Sequence, residues 1–212
     1  SGDLYTFRHA LVRDTAYNSL LKSERQALHG QIARQLNGAN SGIAAGPELI
    51  AHHYTVAKQP QLAWEYWFAA GQNAVKRSAS KEARQQLSMA LGQLEKLPQN
   101  LERDAKEIEV QVLRAGVLRS TAGIAADKTG QTYKRIRHLC DKTGDTSHLF
   151  PVLNGQYSFY LVRADYDKAK EVADELLGLG RQTDVTEHKM VAHRALGAVL
   201  LHIGRVTEAR NY

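Results

Sequence analysis

One cysteine, four prolines and few aromatic residues set the first limits on these 212 residues. The single thiol, Cys140, excludes an internal disulfide framework and suits a reducing, cytosolic setting. Strands are not expected, because the period-two alternation of β-branched and aromatic residues is missing. No apolar run approaches the ~20 residues needed to cross a bilayer. No basic start leads into an apolar stretch, so no signal peptide is expected. Nor is there a Gly-rich loop ending in Lys-Ser or Lys-Thr to cradle phosphates. With no catalytic triad and no metal-ligand cluster either, no catalytic residue, cofactor or metal is expected, and the segment reads as a non-enzyme.

What is present points to helices. Apolar residues make up 43% of the chain, enough for a core, with aromatics at 7% and a mean hydropathy of −0.43. Leu, Ala, Arg, Gln and Glu dominate, and these are good helix formers. The fold class expected is all-α. Lys and Arg number 28 against 22 Asp and Glu, a net +6. That modest, dispersed excess reads as a solvated surface rather than a nucleic-acid footprint. The chain starts without Met and stops at Arg210-Asn211-Tyr212, inside a helical pattern. It reads as a segment of a longer protein.

Helix punctuation is regular. Ser23 with Gln26 forms a capping-box pattern, Gly38 closes that helix, and residues 38–42 read as a polar loop. Pro47 suits a first helical position, whereas Pro60 and Pro98 stop the helices before them. Asp184 with Glu187 marks a further start and Gly204 an end. The spacing predicts helices over 7–21, 23–37, 47–58, 61–77, 80–97, 101–120, 128–143, 147–163, 165–182 and 186–203, with a last one opening near Val206.

Their character alternates. The 80–97 helix carries one stripe, Ala83, Leu87, Ala90, Leu91, Leu94 and Leu97, and 165–182 behaves alike. The 61–77 and 186–203 helices are apolar around most of their circumference, so each must be covered on several sides. Helices taking turns in this way describe a stack of helical hairpins. Small residues recur in register: Gly71 and Gly116 stand 45 positions apart, and Gly116 and Gly197 stand 81 apart. Tyr157 takes the missing middle place, with Gly155 two residues off. Gly costs up to ~1 kcal/mol against Ala in mid-helix, so close helix crossings are expected at these glycines. The long Thr121–Gly130 loop marks a departing second repeat.

Ala195-Leu196-Gly197-Ala198-Val199-Leu200, Gly204-Arg205 and Glu208-Ala209 together resemble the tetratricopeptide pattern, at a longer period than usual. Near the start, Phe7-Arg8-His9-Ala10-Leu11-Val12-Arg13 and Ala16-Tyr17 lead into Ser19-Leu20-Leu21, Arg25, Leu28-His29 and Ile32-Ala33. This run resembles the junction that follows the nucleotide-binding part of large bacterial signalling ATPases. Those proteins include class III adenylate/guanylate cyclases fused to an AAA/STAND-type ATPase with a tetratricopeptide tail, and related LuxR-type regulators. The resemblance continues through Glu48-Leu49-Ile50-Ala51-His52-His53-Tyr54, Tyr66-Trp67 and Leu149-Phe150-Pro151-Val152-Leu153. It implies a helical junction over 1–45, then a tetratricopeptide-like right-handed α-solenoid over 46–212 cut short at its C-terminus, about ten or eleven helices in all.

Several constellations have plainer readings. Asp127-Lys128-Thr129-Gly130 and Asp141-Lys142-Thr143-Gly144 resemble a phosphorylated-aspartate motif but lack a preceding strand, and read as polar helix boundaries. His52 and His53 are adjacent and point about 100° apart on a helix, so they do not share an ion directly. His188, His193 and His202 lack i, i+4 spacing. Cys140 reads as a small buried residue, and Trp64, Trp67 and Phe68 as core. Lys76-Arg77 with Lys81 and Arg84, and Lys134, Arg135 and Arg137, read as solvated basic faces.

The expectation is a cytoplasmic scaffold or protein-interaction module of a bacterial signalling protein, with possible self-association and no membrane contact. Its protein or peptide partner would lie in a concave groove facing Gln72, Lys76, Asn154, Ser158, Arg194 and His202. The alternative is a nucleic-acid-associated part of a LuxR-type regulator.

Overall fold

The computed structural model describes residues 10–38 and 45–212. Among them are eleven helices and no strand. They are α1 (Ala10–Ser19), α2 (Lys22–Asn37), α3 (Pro47–Val56), α4 (Pro60–Lys76), α5 (Ser80–Leu94), α6 (Leu101–Thr121), α7 (Asp127–Thr143), α8 (Leu149–Val162), α9 (Tyr166–Gln182), α10 (Thr186–His202) and α11 (Val206–Ala209). The Phe7-Arg8-His9 run and residues 39–42 of the expected 38–42 loop lie outside the described residues.

From α2 onward each helix packs on the next, and α4 also touches α6 as α8 touches α10. The architecture is therefore an all-α stack of antiparallel helical pairs. α2 packs on α3, which joins the described part of the 1–45 segment to the array. The core runs along the stack as successive clusters. Trp64, Leu87, Leu94 and Val110 fill one, Ile108, Tyr133, Ile136 and Leu139 the next, and Tyr157, Leu176, Leu196 and Val199 a third.

Four junctions share one conformation, which the Gly144 ending of α7 (φ 74°) also takes, with the Asp145 N–H on the Cys140 carbonyl at 3.2 Å. α3–α4, α4–α5, α8–α9 and α10–α11 each turn on a positive-φ residue: Lys58 (54°), Ser78 (58°), Ala164 (56°) and Gly204 (80°). The following residue in each donates its N–H to the carbonyl five positions back, at 2.9–3.0 Å: Gln59 to Tyr54, Ala79 to Ala74, Asp165 to Tyr160 and Arg205 to Leu200. This is the six-to-one bond of a Schellman ending, which satisfies carbonyls the helix would leave orphaned. The α6–α7 pair is joined instead through residues 122–126, shorter than the expected Thr121–Gly130 loop, because α7 already starts at Asp127.

The observed helix ends lie close to the local sequence signals, with small shifts. Pro47 and Pro60 are first helical residues, and Pro98 follows α5. α2 begins one residue before the expected Ser23 cap. Its N-cap is Leu21, whose N–H is bonded 2.9 Å from the Glu24 carboxylate. α10 opens after Val185 without a side-chain cap, so the Asp184–Glu187 signal is displaced.

The recurrent glycines divide. A Cβ at Gly71 would lie 2.7 Å from Leu87 of α5, and one at Gly197 would lie 3.4 Å from Tyr212, just past α11. Both sit at close approaches within their pair. Gly116 does not: it is exposed, and a Cβ there would meet nothing within 4 Å. Its neighbour Ala115 faces Tyr133 and Ile136 of α7 instead, so the packing position was off by one residue. At the missing place, buried Tyr157 shares a cluster with Ala169 and Ala173 of α9, whose small side chains leave room for the ring.

Candidate partner-binding surfaces

The six groove candidates fall into two groups. Gln72 and Lys76 stand one turn apart on α4, both exposed. Asn154 and Ser158 stand one turn apart on α8, both half-buried, with the Ser158 hydroxyl donating to the Asn154 carbonyl at 2.8 Å. The Asn154 Oδ1 atom is buried without a hydrogen-bond partner. Arg194 is exposed on α10, close enough to α8 to oppose the rise that burial imposes on the Tyr157 phenol. His202 hydrogen-bonds the Ala198 carbonyl at 2.8 Å, and its ring centre lies 5.4 Å from that of Tyr166. Because α8 packs directly on α10, Asn154, Ser158 and Arg194 come from adjacent helices. The α4 pair stands apart, since α4 touches α6 rather than α8.

A polar seam that no sequence motif announces runs through the α6–α7 pair. Arg103, Asp104, Glu107 and Gln111 are all buried on α6; Glu107 stands three or four residues after Asp104 and Arg103 and four before Gln111, which puts it between them on one side of the helix. Asp104 accepts from Arg103 at 2.9 Å and from Lys142 of α7 at 2.5 Å. Hydrogen bonding to Lys142 outweighs burial and holds its carboxyl below the usual 3.8. Glu107 takes Arg135 of α7 bidentately, at 2.7 and 2.9 Å, the geometry in which guanidinium–carboxylate pairs are strongest. Arg137 pairs with Glu175 of α9 at 2.7 Å. Two of the three cations in the expected α7 stripe are thus neutralised by named acids.

That last ion pair ties together two walls of a crevice of about 310 Å³ between α7 and α9, floored by α8. Lys134 and His138 line one wall and Lys168 and Glu171 the other. Buried Gln156 and half-buried Tyr160 line it from α8.

Other motifs take structural roles. Thr129 and Gly130 are buried at the start of α7, with the Thr129 hydroxyl donating to the Gly123 carbonyl at 3.0 Å. Gly144 is the left-handed cap of the same helix. Burial first, then Asp145 and Asp141, push the Cys140 thiol up to about 11. Trp64 is buried and stacks on Phe68, with Lys106 Nζ 5.5 Å from its ring centre. Three histidines gather across α2 and α3: His29, His52 and His53 have ring centres 4.9–6.2 Å apart. Among the described residues no group of three or more His, Cys, Asp or Glu is arranged to hold a metal ion. Also among them, no helix is long and apolar enough to cross a membrane.

No family model matches the chain. It is similar to Uncharacterized protein R02095 of Rhizobium meliloti (strain 1021), at 25% identity over 211 residues, which covers 98% of this chain and 20% of that protein. The chain therefore spans about one fifth of the length of the curated relative it matches.

Proposed function

We propose that this chain is a non-catalytic protein–protein interaction module within a long bacterial signalling protein, its helical pairs acting as tetratricopeptide-like repeats. The observation that carries this reading is the repeated hairpin ending, with Ala164 and Gly204 forty positions apart in matching turns. An array of like pairs stacked side by side presents extended surface without needing a catalytic pocket. A bacterial relative five times as long fits a segment working inside a larger assembly. The AAA/STAND-type or cyclase-linked parent rests on the sequence resemblance alone.

Within this reading the partner binds across Asn154, Ser158 and Arg194, with Gln72, Lys76 and His202 extending the surface. The test compares the wild-type chain with a Lys76→Glu/Arg194→Glu double variant as baits in extract of the source cell. Both substituted positions are exposed, so the helical circular dichroism should be unchanged. Partners retained by the wild type should be lost from the variant. Equal retention contradicts the surface. Nucleic-acid association is the weaker reading, because Arg135 and Arg137 are engaged by Glu107 and Glu175. A gel-shift at moderate salt should show no retardation.

A further inference from the structure

His29 of α2 and His53 of α3 meet through their Nδ1 atoms, 2.9 Å apart. Two imidazole nitrogens at that distance need one hydrogen between them, so one ring donates and the other accepts. The Tyr17 hydroxyl of α1 lies 3.1 Å from His29 Nε2. A phenol donating there places the His29 hydrogen on Nδ1. His53 then accepts on Nδ1 and carries its own hydrogen on Nε2. The relay Tyr17 to His29 to His53 joins three helices and needs His53 neutral to accept between the rings.

We propose that the His29–His53 contact is a proton-operated clasp that holds α2 against α3 and opens when both rings are charged. A first proton can enter at His29 Nε2, where the Tyr17 hydroxyl turns to accept, and the bond between the rings survives. A second proton must go to His53 Nδ1, which removes the acceptor and sets two imidazolium donors face to face.

The surroundings disfavour charge on this pair. Burial first, then His52, lowers the proton affinity of His29; burial first, then His29 and His52, lowers that of His53. On α1 stand Asp14 and Tyr17, and the Arg25 guanidinium of α2 lies 5.2 Å from the Tyr17 ring centre. On α3, Glu48 stands four residues before His52. α4 presents Tyr66 to Tyr54 and Trp67 to Thr55, and its Glu65 lies close enough to act on Tyr66. Folded-state affinities depressed below 6.5 mean that the clasp's stability is complete above that pH and is lost as pH falls beneath it. The two titrations belong to the pair as a unit. This goes beyond partner binding, since it makes the docking of α1 and α2 on the array depend on pH.

The test is hydrogen exchange on the whole 212-residue chain at pH 7.5 and pH 5.0, corrected for intrinsic rates. Protection over 22–37 should fall several-fold at the lower pH while protection over α5 to α9 holds. In His53→Asn, whose Oδ1 can accept from His29 but does not titrate, that loss should disappear. Equal loss in the variant, or none in the wild type, overturns the clasp. Should the variant fail to fold, ring-selective NMR titration of the wild type decides. Coupled titration with one ring well below 6.5 supports the clasp, and both rings titrating at or above 6.5 overturns it.

Discussion

The phenol ring of Tyr133 on α7 fills the space that a side chain at Gly155 on α8 would need, and the Phe159 ring of α8 does the same at Gly130 of α7. The two glycine–aromatic contacts are reciprocal and lock one helical pair onto the next. Protein interiors are packed to near-crystalline density, so neither ring has room to retreat far. Gly155→Ala and Gly130→Ala should each force overpacking worth about 1–3 kcal/mol, more than the ~1 kcal/mol that Ala gains in helix propensity. Gly116→Ala and Gly178→Ala, where a Cβ meets nothing within 4 Å, should stabilise by up to ~1 kcal/mol. Urea denaturation of the four variants measures both signs.

The repeated hairpin endings carry strain at non-glycine residues. Ala164 at φ 56° and Ser78 at φ 58° occupy a region that costs L-residues roughly 1–2 kcal/mol. Ala164→Gly and Ser78→Gly should each stabilise the fold by up to about 1 kcal/mol once glycine's extra chain entropy is subtracted, and so raise the denaturation midpoint. A lower midpoint would mean that the turn depends on the Cβ.

Two carboxylates should make the array acid-sensitive. Asp104 is held below its usual 3.8 first by Lys142. At Asp145, burial works upward, but hydrogen bonds from Ser147 and His148 outweigh it and bring the group to about 2. Depressed affinities of this kind give stability that is full above 3.8 and lost as pH falls toward 2. Asp104→Ala should flatten the acid limb of a stability–pH curve and cost about 1–3 kcal/mol at neutral pH, because Arg103 then loses a buried partner.

Cys140 should be chemically quiet. Its side chain is 2% exposed and its thiol is pushed up to about 11, so almost no thiolate exists at pH 8. Alkylation by iodoacetamide should be slow in the folded chain and rapid in urea. Fast labelling of the native protein would show that the α7 C-terminus opens readily.

Helix periodicity carried most of the fold, because Leu87, Leu94, Ala169 and Leu176 recur at helical spacing and are buried as that spacing requires. The repeated turn was harder to see. Gly144 and Gly204 announce a positive φ, whereas Lys58, Ser78 and Ala164 adopt it without a glycine to mark it. Gly116 misled because its neighbour Ala115, only one helical step of 100° away, is the residue that packs. The polar seam was legible in principle, since Arg103, Glu107 and Gln111 follow at four-residue intervals. Its partners Arg135 and Lys142 lie on another helix, and only the pairing of α6 with α7 reveals them. His29 joins His53 across twenty-four positions for the same reason.

Partner binding across α8 and α10 is tested most directly by photo-crosslinking in the cell. A photoreactive residue would be placed at Ser158, Arg194 or Gln72 of the chain, with Glu171 on α9 as a control. One common adduct at Ser158 and Arg194, extending to Gln72 and absent at Glu171, is the expected result. Adducts at Glu171 alone, or none at Ser158 and Arg194, would contradict the proposed surface.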